Sequence, residues 1–264
     1  MTTAPIWALF EAFQGGGEGP LRRSLHPDVE ISDPERSGAG PFRGHDEFVK
    51  FVQEWADAWD EYELTLEAPI VIGETLVALV RYRGTAPGSG MPIDQRGALL
   101  LGVRDGLIAF LRPYTDRDEA LEAAGLQQPA MWRAAIETLR AGYDGWNRRD
   151  FEALAAFLDE GMEVVPVRDL PDMAPFTDRD SARRFWESSA ATWETFVFTP
   201  LAFEPHGEEL LVEVKVDARA RGSGIELEEH MAHLYTLRDG RFVRLQAFTS
   251  SEEAHAALAY PDRR

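Results

Sequence analysis

Between residues 44 and 59 apolar side chains return every three or four positions. Phe48, Phe51, Val52, Trp55 and Trp59 fall on one stripe with Asp, Glu and Lys opposite, the pattern of an amphipathic helix. Directly afterwards the period drops to two and stays there. Alternation predicts strands at 63–72, 75–85, 92–103 and 107–115. The same change of period recurs later in the chain. A helical stripe carrying Phe185, Trp186 and Trp193 precedes strands at 197–205, 209–220, 225–237 and 241–249. Arg104-Asp105-Gly106 and Arg238-Asp239-Gly240 read as hairpin turns, because an Asp-Gly pair supplies the positive φ values a tight turn requires. Gly88-Ser89-Gly90 and Gly222-Ser223-Gly224 close the preceding hairpins.

Ahead of each block stand further helical segments. Trp7, Phe10 and Phe13 mark one face of a short helix that the glycine run at 15–17 stops. The matching segment, 131–146, is longer, with Ile136, Leu139, Tyr143 and Trp146 at helical spacing. A second short helix follows, clearest at 151–158. A brief strand at 29–32 or 162–165 then leads into a loop rich in Pro, Gly and Asp. Helices followed by an antiparallel sheet make an α+β architecture with the helices on one sheet face.

The two blocks are copies. The single shift that lays Trp59 on Trp193 also lays each Gly-Ser-Gly on the other and each Arg-Asp-Gly on the other. Between residues 42 and 126 no gap is needed, and 25 of 85 positions are identical. A repeat of this length is a domain, not a solenoid unit. The chain therefore reads as two domains, 1–127 and 128–264. The joint is short: 116–125 reads as a terminal helix stopped by Gly125, Gln127-Gln128-Pro129 breaks it, and the next helix starts at once. Copies joined so closely are expected to pack together.

Charge and composition narrow the partners. The net charge of −19 divides into −10 for 1–127 (11 basic against 21 acidic residues) and −9 for the rest. An acidic field in both halves repels phosphate backbones, so nucleic acid is excluded as an expected partner. The absence of cysteine removes thiolate nucleophiles, disulfides and Cys-based metal sites. No basic stretch followed by an apolar core opens the sequence, and the longest apolar runs, such as 97–103, are strand-sized. The expectation is a cytoplasmic, soluble protein without membrane contact.

Leu25-His26-Pro27-Asp28-Val29-Glu30, Phe42-Arg43-Gly44-His45, the Trp-bearing helix, the segment from Tyr235 to Arg241 and that from Asp118 to Leu126 together resemble the SnoaL-like polyketide cyclase group of the nuclear transport factor 2 superfamily. The resemblance covers nearly all of both copies. It implies two cones, each a curved sheet wrapped around about three helices with an apolar pocket inside. It also implies association through the outer sheet face, so that the two copies form an intramolecular pseudo-dimer, with further homodimerisation open to it. Arg81 and Arg83 would then lie opposite Glu213 and Asp217. The superfamily holds isomerases, cyclases, dehydratases, epoxide hydrolases and pure binders, so fold alone selects none of these.

Within that frame the resemblance singles out few polar positions. In copy A, Asp33 of Ser32-Asp33-Pro34 stands where ketosteroid isomerases keep a general base; a carboxylate in an apolar pocket is raised toward neutrality, as such a base needs. Asp33-Pro34 equally reads as a strand-ending turn. The donors an isomerase requires are replaced by Leu9, Phe10 and Leu99. Copy B has Tyr143 on its first helix and His233 on a central strand, with Glu229, Met231 and Tyr235 on the same strand face, but Pro166 or Val165 where Asp33 would be. His233 reads either as a polarising or acid/base group or as a buried histidine satisfied by Tyr143 or Glu229. Pocket-lining positions are Trp55, Trp59, Tyr82 and Gln95 in copy A, and Trp186, Trp193, Glu229 and Tyr235 in copy B. The four tryptophans read first as core.

No metal or cofactor is expected. His230 and His233, three apart on a strand, face opposite ways. The glycine run at 15–17 lacks the strand before it and the Lys-Ser/Thr after it that phosphate binding needs. Three functions remain: binding of a small apolar or aromatic molecule in one or both cones; cofactor-independent proton transfer of isomerase, cyclase or hydrolase type; or one degenerate copy serving structure alone.

Overall fold

The computed structural model describes residues 3–11, 18–33, 41–57, 59, 61–86, 88–156, 161–167, 175 and 177–259. Phe13, the glycine run at 15–17, Pro34 and positions 157–158 lie outside them. The chain divides into two compact units, Met1–Pro129 and Ala130–Arg264.

Unit 1 runs α1 (Ala4–Glu11), α2 (Glu18–Ser24), β1 (Leu25–Ile31), β2 (Phe42–Arg43), α3 (Gly44–Ala56), β3 (Glu61–Ile72), β4 (Thr75–Thr85), β5 (Pro92–Arg104), β6 (Leu107–Tyr114) and α4 (Arg117–Ala123). Its strands lie in the order β2-β1-β6-β5-β4-β3, antiparallel except for the parallel pair β1–β6. Unit 2 runs α5 (Pro129–Asn147), α6 (Phe151–Ala156), β7 (Glu163–Val165), α7 (Arg179–Thr192), β8 (Trp193–His206), β9 (Glu209–Ala220), β10 (Glu226–Arg238), β11 (Arg241–Phe248) and α8 (Ser251–Ala259). Its strand order is β8-β9-β10-β11-β7, with β11–β7 parallel. Each unit is an α+β fold.

Local chemistry explains the shared turns. Asp105 and Gly106 have φ of 54° and 75°, Asp239 and Gly240 of 51° and 73°, the left-handed pair of a type I′ hairpin. In both Gly-Ser-Gly hairpins the same two hydrogen bonds form: Ala86 N to Met91 O and Gly90 N to Ala86 O in unit 1, Ala220 N to Ile225 O and Gly224 N to Ala220 O in unit 2. The last helix of each unit is capped alike, Asp116 accepting from Glu119 N and Ser250 Oγ from Glu253 N.

Alternation gave no hint of the β-bulges. The β3–β4 register shifts between Leu66 and Ala68, and the β8–β9 register between Pro200 and Ala202, the same two positions of the repeat. A second shift, between Gly102 and Val103, recurs between Thr236 and Leu237. An extra residue on one strand bends it and steepens the twist, so curvature is written at the same two places in both units.

Two tryptophans leave the helices in which periodicity put them. α3 ends at Ala56 and Trp59 follows it, its N–H bonding to the Ala56 carbonyl. Trp193 is the first residue of β8, with extended φ −110° and ψ 140°, so that strand starts ahead of the alternation at 197. Each chain turns out of its helix while the indole still reaches the same apolar interior, which is why the spacing ran on past the helix end. On β9, Val212, Val214 and Val216 are buried while Glu213, Lys215 and Asp217 are not, as alternation requires. The outward charges pair locally: Arg81 grips Asp94 through two bonds of 2.7 and 2.6 Å, and Lys215 lies 3.1 Å from Asp217. Among the described residues no helix is long and apolar enough to cross a membrane.

Candidate functional site

Each unit encloses a cavity between its helices and its sheet. In unit 2 it measures about 470 Å³, inside the range of small-molecule sites. α5 contributes Leu139, Tyr143 and Trp146, α7 contributes Phe185, Trp186 and Ser189, β8 contributes Trp193, Phe196 and Phe198, and β10 contributes Met231, His233 and Tyr235. The aromatic wall is continuous. Trp146 packs on Phe198 with centroids 5.1 Å apart, Phe198 on Phe196 at 5.1 Å, and Phe196 on Trp193 at 5.4 Å. Asn147, at the end of α5, stands in for a neighbouring strand: its amide donates to Phe198 O and accepts from Phe198 N, both at 2.9 Å. Arg149 adds bonds to Trp193 O and Glu194 O. These contacts fix the start of β8 and hence the two phenylalanines it turns inward.

The polar floor of this cavity is a single chain of hydrogen bonds. Tyr235 donates its hydroxyl to the Tyr143 oxygen at 3.3 Å, and Tyr143 lies 2.8 Å from His233 Nδ1. All three side chains are buried. Desolvation holds the His233 imidazole down at about 4, so it is neutral at pH 7. Burial pushes the Tyr143 hydroxyl well above its usual value of 10 and the Tyr235 hydroxyl up to about 12. A protonated Tyr143 facing a neutral imidazole donates to it. Nδ1 is therefore the acceptor, and the ring proton sits on Nε2. That N–H has no protein partner among the described residues, on a side chain that lines the cavity. No Asp, Glu, Lys or Arg lines this cavity among the described residues.

A neutral buried histidine makes stability depend on pH. The unfolded chain binds a proton near pH 6.5 that the folded one refuses until about pH 4. The contribution is intact above pH 6.5 and lost as pH falls from there toward 4; between pH 7 and pH 5 the loss is about 2 kcal/mol. Denaturant unfolding at the two pH values should show it, and in His233→Phe this part of the slope should vanish.

Unit 1 carries the same cavity in reduced form, about 220 Å³. Trp55, Trp59, Tyr82, Gln95 and Asp33 all line it, with Phe48, Leu64 and Leu99. The reduction has an identifiable cause. Trp55 occupies the position that is Ser189 in unit 2, and Tyr82 the position that is Val216. Their rings meet at 5.6 Å and fill the space left open in the other copy. Burial raises the Tyr82 hydroxyl, an effect that the charge of Arg117 offsets only in part. Trp59 lies across β4 at Gly84, where a Cβ would come 2.7 Å from the indole. The three-membered chain of unit 2 has no equivalent here: Leu99 and Leu101 stand for His233 and Tyr235.

The structure thus brings Tyr143, His233, Tyr235, Trp186 and Trp193 to one cavity and Asp33, Trp55, Trp59, Tyr82 and Gln95 to the other. Glu229 is the exception. It shares the face of His233 by alternation but is exposed and outside the lining, because the first five residues of β10, Glu226 to His230, are exposed on both faces. Of the two partners open to His233, it is Tyr143 that satisfies it. Trp186 is buried, whereas Trp55, Trp59 and Trp193 are partly exposed at their cavities, so core and lining are one role for these residues. Phe196, Phe198 and Ser189 escaped the sequence reading. The aromatic pair two apart ahead of position 199 was the signal for an earlier strand start, but a serine between tryptophans gives none.

Comparison with known proteins places this architecture. The profile of the SnoaL-like domain matches the chain twice, at residues 6–111 and 139–245. No curated protein matches it. Among solved structures, a ketosteroid isomerase-like protein from Catenulispora acidiphila DSM 44928, crystallised with trimethylamine, is 18% identical over 48% of this chain and 96% of its own, with a TM-score of 0.39. An NTF2-like protein of unknown function from Burkholderia pseudomallei K96243 is 22% identical over 48% and 100%, TM-score 0.39. A candidate SnoaL-like polyketide cyclase from Jannaschia sp. CCS1 is 19% identical over 47% and 91%, TM-score 0.37.

Proposed function

The chain belongs to the SnoaL-like domain family in both of its halves, and from that premise we propose that the cone of unit 2 binds a small, largely aromatic molecule carrying an oxygen acceptor. The observation that carries this reading is the hydrogen-bond chain from Tyr235 through Tyr143 to His233. It fixes the imidazole tautomer and leaves Nε2–H as a donor in an otherwise apolar, aromatic cavity. A carbonyl, quinone or phenol oxygen is the acceptor such a donor suits, and the surrounding rings supply stacking and edge contacts for the remainder of the ligand. Each donor in the chain polarises the next, which strengthens the last bond.

The same chain argues for holding over proton delivery. Giving up the Nε2 proton and refilling it from Tyr143 and Tyr235 would leave a buried phenolate, which the raised hydroxyls of both tyrosines oppose. No carboxylate lines the cavity among the described residues to act as base. In this reading unit 1, its cone filled by Trp55 and Tyr82, is the degenerate copy.

The test is a panel of aromatic ketones and quinones, each paired with the hydrocarbon lacking the oxygen, followed by tryptophan fluorescence and thermal shift. Ketones and quinones are expected to bind, and His233→Phe to weaken them about tenfold, the worth of one hydrogen bond in a dry site. The hydrocarbons should bind both proteins alike. Equal affinity of His233→Phe for the oxygenated compounds would remove the proposal. A second reading rests on Asp33, which lines the cavity of unit 1 with Tyr82 and Gln95. Turnover of an enolisable ketone that Asp33→Asn abolishes and His233→Phe leaves intact would establish proton transfer there instead.

A further inference from the structure

The face of unit 2's sheet opposite the cavity carries a cluster that the binding reading does not use. His233 and Tyr235 pair across the ladder with Val212 and Leu210, so Leu211 and its partner Glu204 on β8 turn the other way, toward the face on which α8 packs. His206, two residues on, shares that side, and His255 reaches it from α8. One donor atom from each of Glu204, His206 and His255 lies within 4.8 Å of the other two.

The hydrogen bonds inside the cluster aim two imidazole nitrogens at a single carboxylate oxygen. His255 Nδ1 stands 2.7 Å from the Ser251 carbonyl, which can only accept, so Nδ1 carries a proton. Its Nε2, 3.0 Å from Glu204 Oε2, must then either hold a second proton or turn its lone pair toward a cation shared with the carboxylate. His206 Nε2 faces the same oxygen at 3.5 Å. Glu204 is 4% exposed, and its second oxygen, Oε1, is buried without a hydrogen-bond partner among the described residues. Leaving a carboxylate oxygen buried and unpaired is costly. The fold does not demand it: the same positions of the repeat in unit 1 are Ile70, Ile72 and Leu121.

We propose that Glu204, His206 and His255 form a binding site for a late first-row divalent cation, zinc foremost. Two imidazoles and one carboxylate are a ligand set of zinc sites that keep a fourth position for water. Both histidines are close to half exposed, which leaves that position open to solvent. Tetrahedral bonds of about 2.0–2.1 Å put donor atoms about 3.3 Å apart, and the spacings of 3.0 and 3.5 Å lie on either side. The bond from His255 Nδ1–H to a backbone carbonyl is the outer contact that orients a ligating imidazole. Magnesium, which prefers an all-oxygen octahedron, does not suit this set. The cation would clip the end of β8 to α8.

Isothermal titration of the full chain, stripped with chelator, against zinc chloride at neutral pH tests this directly. One zinc per chain is expected, with a rise in the melting temperature of unit 2, while magnesium at the same concentration does neither. His206→Ala removes a ligand from an exposed side chain and should fold normally while weakening zinc at least about tenfold. His255→Ala should do the same. No stoichiometric uptake overturns the site. So does uptake undiminished in His206→Ala and His255→Ala, since it would place the cation elsewhere on an acidic surface. Neither outcome depends on whether the cavity binds an aromatic molecule.

Discussion

Ser189→Trp is expected to abolish ligand-dependent stabilisation of unit 2. A ligand present at a hundred times its Kd stabilises the folded protein by about 2.7 kcal/mol, and the variant should forfeit all of it. The reason is already built into the chain: a tryptophan at the equivalent position, Trp55, contributes to shrinking the first cavity to about 220 Å³ from the 470 Å³ of the second. Position 189 lies on α7, is partly exposed, and has no hydrogen bond from its side chain among the described residues, so the exchange fills space without stranding a partner. Melting curves of both proteins with and without a binding ketone decide it. Full stabilisation of Ser189→Trp would mean that the ligand sits outside this cone.

Arg117→Met should destabilise unit 1 by about 3 kcal/mol, the lower end of the usual cost of removing one partner of a buried ion pair, since Glu67 keeps some exposure. Arg117 begins α4 and is 8% exposed. Its guanidinium bonds Glu67 and the Val80 carbonyl, both at 2.6 Å, and the Gly97 carbonyl at 3.1 Å. One side chain thus ties the last helix to three strands, reaching β3 at the bulge residue. Unit 2 places Ser251 and Leu201 at the two positions, so the fold is compatible with an apolar substitute. The double variant Arg117→Met/Glu67→Leu is accordingly expected to recover most of the loss. Denaturant unfolding of the three proteins checks both statements, and a single variant as stable as the parent would show the pair to be dispensable.

How far the sequence could be read depended on whether a property was local. Hairpins were legible because Asp-Gly and Gly-Ser-Gly dictate φ within a few residues, and strands because side chains alternate. Helix ends were less so: Trp59 and Trp193 kept the helical beat from outside the helix, since burial, not hydrogen bonding, sets where an indole points. The two bulges were invisible, being a mismatch between two strands and not a feature of either. The candidate site divides in the same way. Tyr143 and His233 could be named from their places on a helix and a strand. That Tyr235 completes the chain, and that Glu229 falls outside, depends on how much of β10 is covered, which alternation alone does not tell. Glu204, His206 and His255 are brought together by a bulge that sets which face β8 presents and by a helix that comes three strands later, a juxtaposition with no sequence signature.

The parallel pairs at the margin of each sheet also bear on how the chain folds. Ile31 meets Leu111 and Val165 meets Gln246, each contact closing most of its unit into one loop. Closing a loop of about 80 residues costs about 4 kcal/mol of chain entropy beyond a constant, and topologies dominated by such distant pairings fold slowly. Each closure is complete within its own unit. On the ribosome, therefore, the first unit can finish once α4 has emerged, before the homologous strands of the second exist to compete for its partners. Refolding from denaturant removes that ordering: β1 and β7 then vie for β6 and β11 at the same moment. A slow, swap-prone phase in refolding, absent when unit 1 is already folded, is the kinetic signature of a fold written twice in one polypeptide.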